Sequence, residues 1–323
     1  MSKLKALVTR RWPEACEERL KQLFDLTLNL DNHPLSEAEL QEAMRHYDVV
    51  LPTVSDRIST AVLNVEPLRC RLLGNFGVGF NHIDLETAKS RGIVVTNTPD
   101  VLTDCTADIA MLLMLMTARR GGEGERLVRS SQWTGWHPTH FLSTKVTGKT
   151  LGLIGFGRIA RAMATKAHFG FGMPIVFYNR SPVAPDVVKH FNAHAASSIE
   201  EVLKISDFVA LHCPGSPENR HLMNAERLQL MKPSAILINT ARGDVVDSNA
   251  LIEALKQGTI RAAGLDVYEN EPHLDPRFLA LDNVVLLPHL GSATLETREA
   301  MGMKVIENVE AWLKGHTPPN KIV

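Results

Sequence analysis

The chain has 323 residues, 44% hydrophobic and 22% charged, with a formal net charge of −1. That length points to two domains, and near-neutrality gives no basis for binding nucleic acid or an anionic membrane. No apolar run approaches the roughly 18 residues that span a bilayer, and neither the four cysteines nor the thirteen histidines show metal-ligand spacing, so no metal is expected.

Short apolar runs alternate with helical patterns, which predicts parallel α/β architecture. No signal-like segment precedes the first strand, and scattered cysteines without a C-x-x-C pair suit a reducing compartment, so a cytoplasmic location is expected. Strands are predicted at 5–9, 49–52, 72–75 and 93–97. A helix at 36–46 opens with a capping box, Ser36 and Glu39. The turn cluster Asn97-Thr98-Pro99-Asp100 closes this block, and a long helix at 105–119 ends in Gly121-Gly122. The segment 121–148 reads as a helix followed by a polar loop. Its Trp133 and Trp136 fit a contact surface or caps on their own domain's core about equally. A second series follows, with strands at 150–154, 175–178, 208–212, 235–239, 262–265 and 284–287 and a last helix at 296–314. Six strands in series match a dinucleotide-binding sheet.

The most specific segment is Gly155-Phe156-Gly157-Arg158-Ile159-Ala160, between a strand and a helix. Gly155 permits the tight turn, Gly157 lets backbone approach a pyrophosphate, and Ala160 lets the helix pack on the strand. The phosphates would sit on free N–H groups at the positive helix end. After the second strand of this series the chain reads Tyr178-Asn179-Arg180-Ser181, with no acid before Asp186. An acid there would bond a ribose 2′-OH, whereas Arg180, helped by Asn179 and Ser181, suits a 2′-phosphate. NADPH is the expected cofactor, NADH the weaker alternative.

Ionisable groups also cluster where strands end, the usual ligand position in α/β folds. The segments are Asn239-Thr240-Ala241-Arg242-Gly243-Asp244, Gly264 to Pro272 with Asp266, Glu269 and Glu271, and Leu287-Pro288-His289-Leu290-Gly291-Ser292. Arginine, carboxylate and histidine are the parts needed to reduce a 2-oxo acid. Arginine forks onto the substrate, and histidinium donates a proton while the carboxylate holds it.

On these motifs the chain resembles the D-isomer-specific 2-hydroxyacid dehydrogenase family over essentially its whole length. The resemblance implies Arg242, Glu271 and His289 as the catalytic set, with Glu269 passed over. It implies that Asp266 holds the nicotinamide carboxamide. Backbone N–H groups of the loop Asn75-Phe76-Gly77-Val78-Gly79 would clasp the substrate carboxylate, with Leu51 and Phe76 lining the site. Candidate cofactor residues are Gly155, Phe156, Gly157, Arg158, Ile159, Asn179, Arg180, Ser181, Cys213, Pro214, Thr240, Ala241, Asp266 and Gly291. The segment His289 to Arg298 is similar to that of glyoxylate/hydroxypyruvate reductases. Departures are Ala160 for the commoner third glycine, and Gly215-Ser216 with Asn219 in place of Leu-Thr and Thr on the adenine side.

The implied fold is two doubly wound parallel-sheet domains, Rossmann- and flavodoxin-like. A dinucleotide-binding domain (100–290) is inserted into a discontinuous substrate domain (1–99 and 291–323), with hinges in the helices after Pro99 and Gly291. The implied assembly is a homodimer through the cofactor domain, with the loop 133–140 reaching the partner. The implied activity is reduction of small 2-oxo acids such as glyoxylate and hydroxypyruvate. The alternatives are 3-phosphoglycerate or another D-2-hydroxyacid dehydrogenase, and a non-enzymatic nucleotide-sensing corepressor. Against the first, no second basic cluster for a substrate phosphate is evident; against the second, no extended polar tail follows the last helix.

Overall fold

A computed structural model describes residues 3–323. The chain divides into two compact units, Met1–Leu102 with Ala293–Val323, and Thr103–Ser292. Among the described residues no helix is long and apolar enough to cross a membrane.

The first unit holds β1 (Lys5–Val8), β2 (Asp25–Leu28), β3 (Val49–Leu51), β4 (Leu72–Gly74) and β5 (Val94–Thr96). All pair in parallel in the order β2-β1-β3-β4-β5, the flavodoxin-like order. Helices cover both faces, so β3 and β4 are buried throughout. One face packs on Leu40, Met44, Val50, Leu63 and Leu73, the other on Leu20, Leu51, Phe76 and Val305. The helix Glu37–His46 begins at the expected capping box: Ser36 Oγ accepts from the Glu39 N–H, and Glu39 accepts from the Ser36 N–H. The last helix, Leu295–Leu313, lies on the second face. A Cβ at its Gly302 would fall 2.4 Å from Cys16 Sγ, so glycine lets it approach the helix Glu14–Leu23. Beyond it, Ile322 donates to Val95 O at 2.7 Å and Val95 to Val323 O at 3.2 Å, which covers the free edge of β5.

The second unit holds β6 (Leu151–Ile154), β7 (Ile175–Tyr178), β8 (His194–Ala195), β9 (Phe208–Leu211), β10 (Ile236–Asn239), β11 (Ala262–Leu265) and β12 (Val284–Leu286). The order β12-β11-β10-β9-β6-β7-β8 is the dinucleotide-fold order with a seventh strand. The order reverses between β6 and β9, where such folds open a ligand crevice. The helix Thr103–Ala118 lies on β10 and β11 because Gly264 leaves room for it: a Cβ there would meet Thr117 Oγ1 at 2.8 Å. The helix Gly121–Arg129 buries no residue, and the loop after it leaves Trp133 53% and Trp136 79% exposed. Neither tryptophan caps its own unit's core, which removes one of the two readings of this segment.

Two strands escape the sequence pattern. β2 and β8 are edge strands with largely exposed residues, so neither carries the apolar run that marks the others.

Candidate active site

The crevice begins at the turn after β6. Gly155 has φ +87°, and a Cβ would fall 2.8 Å from the His212 carbonyl oxygen, so only glycine fits. Gly157 caps the helix Arg158–Thr165, and the position its Cβ would take is open space. Ala160 is fully buried. Phe156 corrects an expectation. Its ring stacks on Phe177 in the core at 4.1 Å, and its N–H donates to Asn179 Oδ1 at 2.9 Å. Asn179 donates in turn to Ser181 O at 2.7 Å, so its amide braces the turn. Arg180 and Ser181 are exposed on that turn, as is Arg158 at the helix start, while Ile159 packs against the core. At the end of β9, burial pushes the Cys213 thiol up to about 11, which keeps it protonated at neutral pH; Pro214 beside it is exposed. At the end of β10, Thr240 Oγ1 is buried with no partner among the described residues. Obligatory glycine, open space at a helix start and an unmatched buried hydroxyl fit a bound dinucleotide.

The loops after β10, β11 and β12 bring Arg242, Glu271 and His289 into one electrostatic cluster. Asn239 builds the first loop: its Oδ1 accepts from the Ala241 N–H at 3.0 Å and its Nδ2 donates to Arg242 O at 2.9 Å. Gly243 then lies against the second loop, where a Cβ would fall 1.8 Å from the Tyr268 carbonyl carbon. In the second loop Glu271 accepts from the Tyr268 N–H at 2.8 Å and meets His289 Nδ1 at 2.7 Å through its other oxygen. Glu269 turns elsewhere, to His221 Nε2 at 2.6 Å and the Ser248 N–H at 3.1 Å.

His289 has φ +56°, a conformation side chains rarely adopt. Asp266 holds it there. Its backbone carbonyl accepts from the His289 N–H at 2.9 Å, and its two carboxylate oxygens accept from Leu290 at 2.7 Å and Gly291 at 2.9 Å. Thr106 adds a bond to Gly291 O at 2.9 Å.

Charge follows from these contacts. Burial pushes the Glu271 carboxyl up, but the His289 hydrogen bond and charge, the Tyr268 N–H and Arg242 outweigh it, so Glu271 lies below its ordinary value and is ionised at neutral pH. Burial raises Asp266, against the two N–H donors. Burial also lowers Arg242, opposed by Glu271 and Asp244, and its Nη1 donates to Ala241 O at 2.7 Å. With Nδ1 on Glu271, His289 has Nε2 left for a reacting oxygen, the arrangement of a general acid held by a carboxylate.

In the first unit, Leu51 does not line a site: it is fully buried in the core of its own sheet, and the residue that emerges after β3 is Val54, 42% exposed. Phe76 is buried against Trp12, with ring centroids 4.6 Å apart. Gly77 is buried, while Val78 and Gly79 reach the surface. Sequence reasoning passed over Thr106, Asn239 and Gly243. Asn239 and Gly243 carry a readable signal, an asparagine and a glycine flanking a turn that ends a strand.

Residues 111–291 match the family described as D-isomer specific 2-hydroxyacid dehydrogenase, NAD binding domain. The chain is 45% identical over 324 residues to a glyoxylate reductase of Thermococcus onnurineus, covering 99% of this chain and 96% of that protein. It is 36% identical over 315 residues to a glycerate dehydrogenase of Hyphomicrobium methylovorum, covering 98% of each. An NADPH-dependent glyoxylate/hydroxypyruvate reductase of Sinorhizobium meliloti, solved in complex with NADP and malonate, superposes with a TM-score of 0.88 at 33% identity, covering 100% of this chain and 97% of that one. Sequence, two-unit fold and the dinucleotide crevice agree: the chain belongs to the D-isomer specific 2-hydroxyacid dehydrogenase family of enzymes.

Proposed function

We propose that this enzyme reduces small 2-oxo acids, glyoxylate and hydroxypyruvate, to 2-hydroxy acids, with NADPH preferred over NADH. The observation that carries the reading is the 2.7 Å contact between His289 Nδ1 and Glu271 beside the half-buried Arg242. When bound, the reduced nicotinamide supplies a hydride. His289 gives the proton at Nε2 to the substrate oxygen, and the ionised Glu271 stabilises the imidazolium. Arg242 forks onto the 2-oxo acid, while backbone N–H groups of the 76–79 loop take its carboxylate. Asp266 holds the turn that carries His289 and offers its remaining lone pairs to the carboxamide. The names of two relatives, glyoxylate reductase and glycerate dehydrogenase, support this substrate class. Arg180 and Ser181, with no acid following them in the chain before Asp186, support the phosphorylated cofactor. In this reading residues 100–290 bind the dinucleotide, residues 1–99 with 291–323 bind substrate, and the enzyme works as a cytoplasmic homodimer.

Initial rates with glyoxylate, hydroxypyruvate, pyruvate and 3-phosphohydroxypyruvate, each with NADPH and NADH, test it. The expected kcat/KM is highest for glyoxylate or hydroxypyruvate with NADPH. Preference for the phosphorylated acid, or no turnover with any, would overturn the reading.

A further inference from the structure

The loop after β4 is held from behind by amides. Asn75 is fully buried, and its Nδ2 donates to Gly77 O at 3.1 Å and to Gly79 O at 3.0 Å. Asn97, 8% exposed, donates from Nδ2 to Val78 O at 2.9 Å. The Thr98 N–H adds a second donor to Gly77 O at 3.1 Å. Three successive carbonyls are therefore drawn to one side, towards the interior of the unit.

A trans peptide is planar, so the N–H that follows each carbonyl points the opposite way. The N–H groups of Val78, Gly79 and Phe80 then face away from the asparagines. Those of Val78 and Gly79 have no hydrogen-bond partner among the described residues. Adjacent N–H groups with nothing to bond form an anion seat.

The two asparagines are themselves fixed. His82 Nε2 lies 3.0 Å from Asn75 Oδ1, which sets the amide orientation, since the flipped amide would place Oδ1 against two carbonyl oxygens. Asn97 is held through its backbone: its O accepts from the fully buried Asn308 at 3.2 Å, and its N–H donates to Asn320 O at 3.2 Å.

We propose that Asn75 and Asn97 are positioning residues for the substrate carboxylate, acting by turning the peptide units at 77–79 so that their N–H groups face it. The inference rests on the functional reading above, which assigns the carboxylate to this loop. It adds a cause for the loop's geometry: buried side-chain amides, through carbonyls, with no substrate contact of their own.

The test uses the full-length enzyme and the variants Asn97→Asp and Asn97→Ala. Aspartate keeps the shape of asparagine but has no N–H to give Val78 O. Both variants are expected to raise the KM for glyoxylate about tenfold or more, the usual worth of bonds to a charged partner, with a smaller change in kcat and unchanged NADPH affinity by fluorescence titration. Calorimetric titration of oxalate onto the NADPH-loaded protein should weaken in parallel. Unchanged KM and oxalate affinity in both variants, with wild-type turnover intact, would overturn the inference and leave the functional reading standing. If the wild type reduces no 2-oxo acid, that reading fails, and oxalate still decides: binding lost in Asn97→Asp supports the amide role, while equal binding, or none in the wild type, overturns it.

Discussion

At Arg180 a guanidinium follows β7 where an acid would repel a 2′-phosphate, and the Asn179 amide braces the turn through Phe156 and Ser181. Arg180→Ala is expected to raise the KM for NADPH about tenfold or more, because a charge-assisted bond contributes roughly 1.5–3 kcal/mol, and to leave NADH kinetics nearly unchanged. Equal losses with both cofactors would remove the argument for the phosphate. Glu271 gives a prediction in pH. Its value is depressed in the folded protein, so the negative charge facing His289 persists through the neutral range and is lost only as pH falls through that lowered value. Glu271→Gln removes the charge at every pH. The alkaline limb of the reduction rate is expected to move to lower pH, with a smaller loss at acidic pH. A profile with unchanged limbs would show that the carboxylate does not govern the proton.

The loops after β10 and β11 act as one element because their backbones touch. Gly243→Ala puts a methyl 1.8 Å from the Tyr268 carbonyl carbon, where no side chain can swing aside. Overpacking of this kind costs about 1–3 kcal/mol; the separation of Arg242 from Glu271 should then cut kcat/KM for glyoxylate more than the affinity for NADPH. Thermal melts and cofactor titration on one preparation separate the two effects. How far such elements could be read in advance depended on burial. The central strands announce themselves as apolar runs because both faces are covered, and Ser36 announces its helix through local bonding. β2 and β8, at sheet edges, carry no such run. Arg242, Glu271 and His289 were legible only as strand-end residues and by family likeness, since their convergence depends on Gly243, Asn239 and Asp266, whose roles appear only when three loops meet. Leu51 and Phe156 were misplaced for the opposite reason: a residue inside a functional motif can face the core.

For the whole molecule, the exposed Trp136 is where the proposed homodimer can be tested. A tryptophan 79% exposed, after a helix that buries nothing, leaves a large apolar surface in water. Interfaces enrich tryptophan as buried anchors. Sedimentation is expected to give a dimer at micromolar concentration and Trp136→Ala to shift it towards monomer; a wild-type monomer would refute the assignment.

The discontinuity of the first unit carries a consequence for biosynthesis. Its sheet lies within Met1–Leu102, but the last helix, which covers one face together with the helix Glu14–Leu23, and the tail that closes the β5 edge belong to Ala293–Val323. The ribosome delivers those pieces only after all of Thr103–Ser292, which is a continuous run and can condense as soon as it emerges. Until then the nascent N-terminal segment waits with a partly covered apolar face and an unpaired strand edge, the surfaces that attract chaperones and aggregation. Maturation thus departs from the order of translation: the middle comes first, and the beginning is completed only together with the end.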